Sequence, residues 1–118
     1  MNMTWLLAAL GLCIILLGVH LEALTHYWYW VYPNFDIPMH ILGGAALGAF
    51  LIALGFRRFW IYALLMVGIV VGWEVFEYIG GLSTHQPHYW RDTIDDMFNG
   101  LVGSAVIYGI QKYLWRSN

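Results

Sequence analysis

The 118-residue chain is 61% hydrophobic and 10% charged, with a formal net charge of −2 and a mean hydropathy of +0.66. A soluble domain usually carries about 25% charged residues, so this composition excludes a disordered chain, a nucleic-acid binder and an ordinary soluble enzyme. With so few charges most of the outer surface must be apolar, and lipid is the solvent that tolerates such a surface.

The length implies one domain, residues 1–118, and the apolar runs imply an all-α, polytopic membrane protein built as a four-helix transmembrane bundle. A spanning helix needs about 20 mostly apolar residues. The first span is expected over residues 5–24. Its start, Met1-Asn2-Met3-Thr4, lacks positive charge, and no small-x-small cleavage site follows Val19, so it reads as a retained helix rather than a signal peptide. The lone cysteine, Cys13, lies within it and reads as a small packing hydrophobe. A polar and aromatic loop over residues 25–36 follows, with Tyr27, Trp28, Tyr29, Trp30 and Tyr32. Pro33 and Pro38 bracket the entry to the second span, residues 37–54. Gly55 and the pair Arg57-Arg58 separate it from the third, residues 59–79. Gly80-Gly81, Ser83 and Pro87 mark the loop before the fourth, residues 93–113. Small residues spaced four apart, Gly44 with Gly48, Gly68 with Gly72 and Gly100 with Ser104, suit close helix packing inside the bundle or at a homodimer face.

Orientation follows from the basic residues. Arg57 and Arg58 lie between spans two and three, and Lys112 and Arg116 lie after span four; only Arg91 falls at the other end. The positive-inside rule then places both termini in the cytoplasm, with the chain in the cytoplasmic (inner) membrane and its other loops facing the periplasm or exterior. On this topology every acidic residue and all five histidines belong to the outer half.

Ionisable groups within a span are costly and normally face the bundle interior. Counted back from the basic layer, His40 lies about 17 residues from Arg57, Glu74 about 16 from Arg58 and Asp96 about 16 from Lys112. At about 1.5 Å per residue each sits roughly 25 Å from that layer. Asp36, Glu77 and Asp92 come one turn further out. Within each helix the spacings share a face: Asp36 and His40 at i, i+4; Glu74 and Glu77 at i, i+3; Asp92, Asp95 and Asn99 at i, i+3, i+7. Asp95 and Asp96 point about 100° apart, and Asp95 is the one expected inward because it shares the face of Asp92 and Asn99. So many carboxylates need protonation, basic partners or a divalent cation between them. Carboxylates and imidazole on facing helices of a bundle are the ligand types of di-iron and di-manganese sites. The expected metal ligands are therefore Asp36, His40, Glu74, Glu77, Asp92 and Asp95, for Mn, Fe, Zn or Mg. Capping is the simpler role for Asp92 and Asp36, whereas Glu74, set between Trp73 and Val75, has no such role.

Asp36-Ile37-Pro38-Met39-His40 with Gly43, Gly44 and Gly48, then Glu74-Val75-Phe76-Glu77, then the run from Arg91 to Gly100 with Asp95, Asp96 and Asn99, together resemble the motifs of VanZ-like and YjdF-like small membrane proteins. The likeness spans residues 36–103; VanZ-like sequences usually carry glutamine where Glu77 stands. Its named member is associated with glycopeptide-antibiotic resistance, so the resemblance implies a polar site at the outer face and a cell-envelope setting. The expected function is a metal-dependent membrane enzyme acting on a lipid or envelope precursor, with Glu74 as ligand or general base and Arg91 holding an anionic head group. The alternative is a non-catalytic protein holding a metal, a cationic ligand or a partner, including an accessory subunit of a larger membrane complex. A third is a cation or proton pathway, against which the inner halves of the spans offer no ionisable residue.

Overall fold

The structure, a computed structural model, describes residues 1–81 and 88–116, and these are helical with no strand among them. Five helices follow in order: α1 (Met3–Thr25), α2 (Trp28–Val31), α3 (Asp36–Ala53), α4 (Phe59–Gly80) and α5 (Tyr89–Arg116). Three of them, α1, α3 and α4, are long and apolar enough to cross a membrane. The expected fourth span lies within α5, a 28-residue helix that is not among those three. Asp92, Asp95, Asp96, Asn99 and Gln111 make it more polar than its neighbours. The long axis of the molecule is 48 Å, close to the roughly 40–45 Å of a bilayer with its head groups.

α3 is the central helix. Half of its length is buried, against almost none of α1. The cause is its small residues: Gly44, Ala45, Ala46, Gly48 and Ala49 are all buried and let neighbouring backbones come close. The tightest seam is with α5. A Cβ added at Gly44 would overlap the Gly100 carbonyl, and one added at Gly103 would overlap the Ile41 carbonyl. Two of the three small-residue pairs, Gly44 with Gly48 and Gly100 with Ser104, thus pack within the bundle. Gly68 and Gly72 do not: nothing lies within 4 Å of a Cβ at either. At the other end of the molecule Leu51, Ile52, Tyr62 and Met66 form the buried apolar cluster. There the Tyr62 hydroxyl donates to the Ser104 carbonyl at 2.8 Å, and Tyr108 donates to the Arg57 carbonyl at 3.1 Å.

α1 packs mainly on α3, whereas α4 packs on α5 and α3, and α1 and α4 share no extensive interface. Consequently α1 presents Leu7, Ile14, Ile15 and Leu21 outward. Cys13, expected in packing, is exposed on this helix too. In water so long an apolar face would be an aggregation surface; in hydrocarbon it is solvated.

The ends are set locally. Asn2 caps α1, its side-chain oxygen accepting from Trp5 N–H at 3.2 Å. Gly81 ends α4 in the left-handed region at φ 67°, the conformation glycine adopts without strain. The expected loop between the first two spans contains α2, entered through left-handed Tyr27 at φ 59°. α2 folds back so that Trp28 and Tyr29 both meet Phe35 edge-on, with ring centres 5.5 and 5.1 Å apart.

Two opposite ends result. Arg57, Lys112 and Trp115 gather at one, with Arg57 over the Trp115 ring and Lys112 over the Tyr108 ring, each at 5.5 Å. The start of α3, the end of α4 and the start of α5 gather at the other and carry most of the acidic residues.

Candidate metal centre

Asp36 opens α3, and His40 follows one turn later on the same face. Because Gly44 and Gly100 bring α3 and α5 together one turn below, Asp96 of α5 comes directly opposite His40. The His40 Nε2 atom lies 3.3 Å from Asp96 Oδ1 and 3.4 Å from Asp36 Oδ2. Donor atoms of the three residues all fall within 4.8 Å of one another. Asp96 is buried, His40 mostly so, and Asp36 is half-exposed at the rim.

At these distances His40 pairs with both carboxylates, and the same spacing also suits ligands of one shared ion. Ligands at about 2.0–2.2 Å from one ion lie roughly 3.0–3.6 Å apart when adjacent. One imidazole nitrogen stands at that spacing from two carboxylates on two helices. The donor set, one nitrogen and two anionic oxygens with room for further oxygen ligands, suits Mn, Fe, Zn or Mg. The two carboxylates also balance the charge of a divalent cation, which removes the repulsion that would otherwise oppose their approach. The residues therefore fit a metal ion.

Glu74 is buried at only 6% exposure and lies beside this triad, lining the same cavity as Asp36, His40 and Asp96. Its carboxylate makes no hydrogen bond or ion pair with any described residue. Glu77, one turn on, is half-buried and accepts a hydrogen bond from the Trp73 indole at 3.0 Å. From α1, His20 reaches the cavity wall, its Nδ1 2.8 Å from the Tyr29 hydroxyl of α2. Burial, then the negative charge of Asp36, pushes the Tyr29 phenol above its usual value, so it stays protonated, and the His20 tautomer sets which partner donates.

Asp92 and Asp95 are not among the three residues of the triad. Asp95 is exposed, and Asp96 is the inward carboxylate of the adjacent pair. The expectation for Asp95 rested on the face shared with Asp92 and Asn99. The face that α5 buries is instead that of Thr93, Asp96, Gly100 and Ser104, because the glycine seam with α3 fixes the rotation of the helix. The signal lay in the sequence: Asp96, Gly100 and Ser104 are at i, i+4, i+8. Asp92 is exposed in the first turn of α5, where its charge favours the free backbone N–H groups. It is no cap, since α5 begins four residues earlier than expected, at Tyr89. Asp36 does not cap either; Phe35 precedes α3 without a side-chain bond, and Asp36 turns to His40. Arg91 is exposed and lies outside the cavity lining. His26 forms an exposed pair with Glu22 at 3.3 Å. His88 sits in an exposed turn, and Ser83, Thr84 and His85 lie outside the described residues.

Comparison of the chain with protein-family models, with curated proteins and with solved structures gives no match.

Proposed function

We propose that this chain is an integral membrane protein that binds a divalent cation through Asp36, His40 and Asp96 and acts through it on a lipid or cell-envelope head group. The observation that carries the reading is the single His40 nitrogen held at ligand spacing, 3.3 and 3.4 Å, from carboxylates of two different helices. Three apolar helices support the membrane setting. In this reading α5 is the fourth span of the bundle, crossing with Asp96 covered by α3 and with Asp92 and Asp95 exposed toward its outer end. The basic end, with Arg57, Arg58 and Lys112, faces the cytoplasm by the positive-inside rule. The metal centre then opens at the outer face of the cytoplasmic membrane, as the likeness to VanZ-like motifs also implies.

When bound, the cation supplies Lewis acidity toward a phosphoryl or carbonyl oxygen, or a water of lowered pKa. The chain's own groups have distinct parts. Asp36 and Asp96 supply the compensating charge, and His40 supplies a neutral nitrogen, holding itself between them. Glu74 is the nearby carboxylate without a partner and is the group free to take a proton or to hold a positive centre. Helices α3 and α5 hold His40 and Asp96 in register by direct backbone contact at Gly44 and Gly100.

A second reading, a cation- or ligand-binding protein without a reaction, is favoured by one observation. Arg91, expected to hold an anionic head group, is exposed and away from the cavity. A cation pathway lacks support, because the cavity walls beyond His40 and Glu74 are apolar. Elemental analysis of detergent-purified wild type, Asp96→Asn and Asp95→Asn tests the metal. The expected result is near-stoichiometric metal in wild type and Asp95→Asn and its loss in Asp96→Asn. Wild-type protein without metal after growth and purification in Mn-, Fe- and Zn-containing media overturns the reading.

A further inference from the structure

The cavity that holds the triad runs far beyond it. Because α1 and α4 share no extensive interface, a trough opens between them with α3 as its floor. Its volume is about 770 Å³, within the roughly 300–1,000 Å³ of small-molecule sites. Leu10 and Leu17 of α1, Leu47 and Phe50 of α3, and Ile69 and Val70 of α4 make its walls apolar. Along α1 the lining extends from Leu6 to His20, about 21 Å at 1.5 Å per residue. That is longer than half of the roughly 30 Å hydrocarbon core, and it holds an extended chain of about sixteen carbons, about 18 Å long at about 1.2 Å per bond, with room for a head group.

One end of this apolar trough is acidic. Asp36, Glu74, Glu77 and Asp96 line it, and among the described residues no Lys or Arg does. A divalent cation on the triad balances Asp36 and Asp96 and leaves Glu74 and Glu77 uncompensated. Glu77 is steadied by the Trp73 indole, whose aromatic body also lines the trough. Glu74 is more than nine-tenths buried as a residue and faces the trough at the junction of the acidic end and the apolar walls, with no hydrogen-bond or ion-pair partner among the described residues. A buried carboxylate without a partner is expensive, and an ammonium group satisfies it with charge and hydrogen bonds together. Aromatic faces add to the attraction for a cation. An anionic head group would instead meet the uncompensated charge of Glu74 and Glu77, joined by Asp36 and Asp96 where no cation is held.

We propose that the trough between α1 and α4 binds a single-chain membrane amphiphile with an ammonium head, its alkyl chain along α3 and its head on Glu74 and Glu77. This assignment goes beyond the metal reading and does not rest on it, since Glu74 and Glu77 are additional to the triad.

The test is native mass spectrometry of the delipidated full-length protein in detergent with three probes of one chain length: hexadecylamine, hexadecanol and hexadecanoate. Each probe is offered at the same concentration, with and without chelator. The amine is expected to be retained at least tenfold more than the other two, a difference of about 1.4 kcal/mol, in both conditions. Glu74→Gln is expected to bring the amine down to the level of the alcohol while leaving the alcohol unchanged. Gly43→Leu tests the path of the alkyl chain along α3 just inside the head. Gly43 lines the trough, and a Cβ there meets nothing within 4 Å, so a larger side chain has open space to enter. It is expected to lower retention of all three probes. Equal retention of the three by wild type, an amine preference that survives Glu74→Gln, or retention indifferent to Gly43→Leu would each overturn the proposal. Loss of the amine preference on chelation also overturns it. Protein that binds no metal but keeps the preference removes the metal reading alone.

Discussion

Gly44→Ala adds one methyl group at the α3–α5 seam and should reach the metal centre one turn away. The new Cβ would lie inside the envelope of the Gly100 carbonyl, which is backbone and cannot rotate aside. Ordinary carbon contact requires about 3.5–4.0 Å, so the two helices must part by on the order of 1.5 Å. Overpacking of this kind costs about 1–3 kcal/mol, against a gain of about 0.5–1 kcal/mol from replacing glycine within a helix. A net loss of about 1–2 kcal/mol follows. Gly68→Ala is the matched control: nothing lies within 4 Å of its Cβ, so only the helix gain of about 0.5–1 kcal/mol should appear. The functional consequence is geometric. Gly44 follows His40 by one turn and Gly100 follows Asp96 by one turn, so the same separation widens the 3.3 Å contact between His40 and Asp96 to about 5 Å. Two ligands of one ion at about 2.2 Å can lie no more than about 4.4 Å apart, so Asp96 is lost as a ligand. Thermal unfolding in detergent and a Mn or Zn titration measure the two effects on the same samples. Gly44→Ala should melt below wild type and bind metal at least tenfold more weakly, whereas Gly68→Ala should melt slightly above it with unchanged affinity. A Gly44→Ala protein as stable as Gly68→Ala, with wild-type metal affinity, would refute the argument at its first step.

Metal present at about 100 times its Kd should stabilise the protein by about 2.7 kcal/mol, so chelation should lower the melting temperature and readdition restore it. Asp96→Asn should abolish that response and Asp95→Asn should keep it; the reverse pattern would return the ligand to the exposed face of α5. Tyr29→Phe should cost about 1 kcal/mol through loss of the hydroxyl contact with His20, read as a lower melting temperature that does not depend on metal. In a Cys13→Ala background, Tyr32→Cys and Leu54→Cys place single thiols at opposite ends of α3, both exposed. An impermeant maleimide added to intact cells should label the first and not the second, and labelling of both from outside would remove the proposed topology.

The spans were the most legible part of the sequence. The expected limits 5–24, 37–54 and 59–79 fall within about a turn of α1, α3 and α4, because apolar length against a bilayer is a one-dimensional signal. Depth was legible for a related reason: counting from the basic residues put His40, Glu74 and Asp96 at one level, and all three line one cavity. Rotation was not. Periodicity says which residues of α5 share a face but leaves open which face turns to α3, and the polar stripe through Asp92, Asp95 and Asn99 competed with the small-residue stripe through Asp96, Gly100 and Ser104. The small stripe wins because backbone contact between helices needs glycine, while a carboxylate can reach the exposed, polar end of the molecule from several rotations. The one-turn helix α2 was hidden by Pro33 and by the turn composition around it. The trough was hidden altogether, because it depends on two helices, α1 and α4, failing to pack on each other.

That failure ties the fold to the site. α3 spends its small residues on α5 and on α1, whose Ala9 and Ala23 are buried, so both neighbours approach it closely. The seam with α5 brings Asp96 to His40. The same close packing on opposite flanks of α3 leaves α4 to sit against α5, away from α1, with Trp73, Glu74 and Glu77 facing the gap. A bundle in which α1 and α4 met would cover Glu74 with apolar side chains of α1, and an ionised carboxylate there would have no solvent and no partner. The open trough and the buried glutamate are therefore one feature: the sequence keeps a carboxylate deep in an apolar helix where the packing leaves it a space to face.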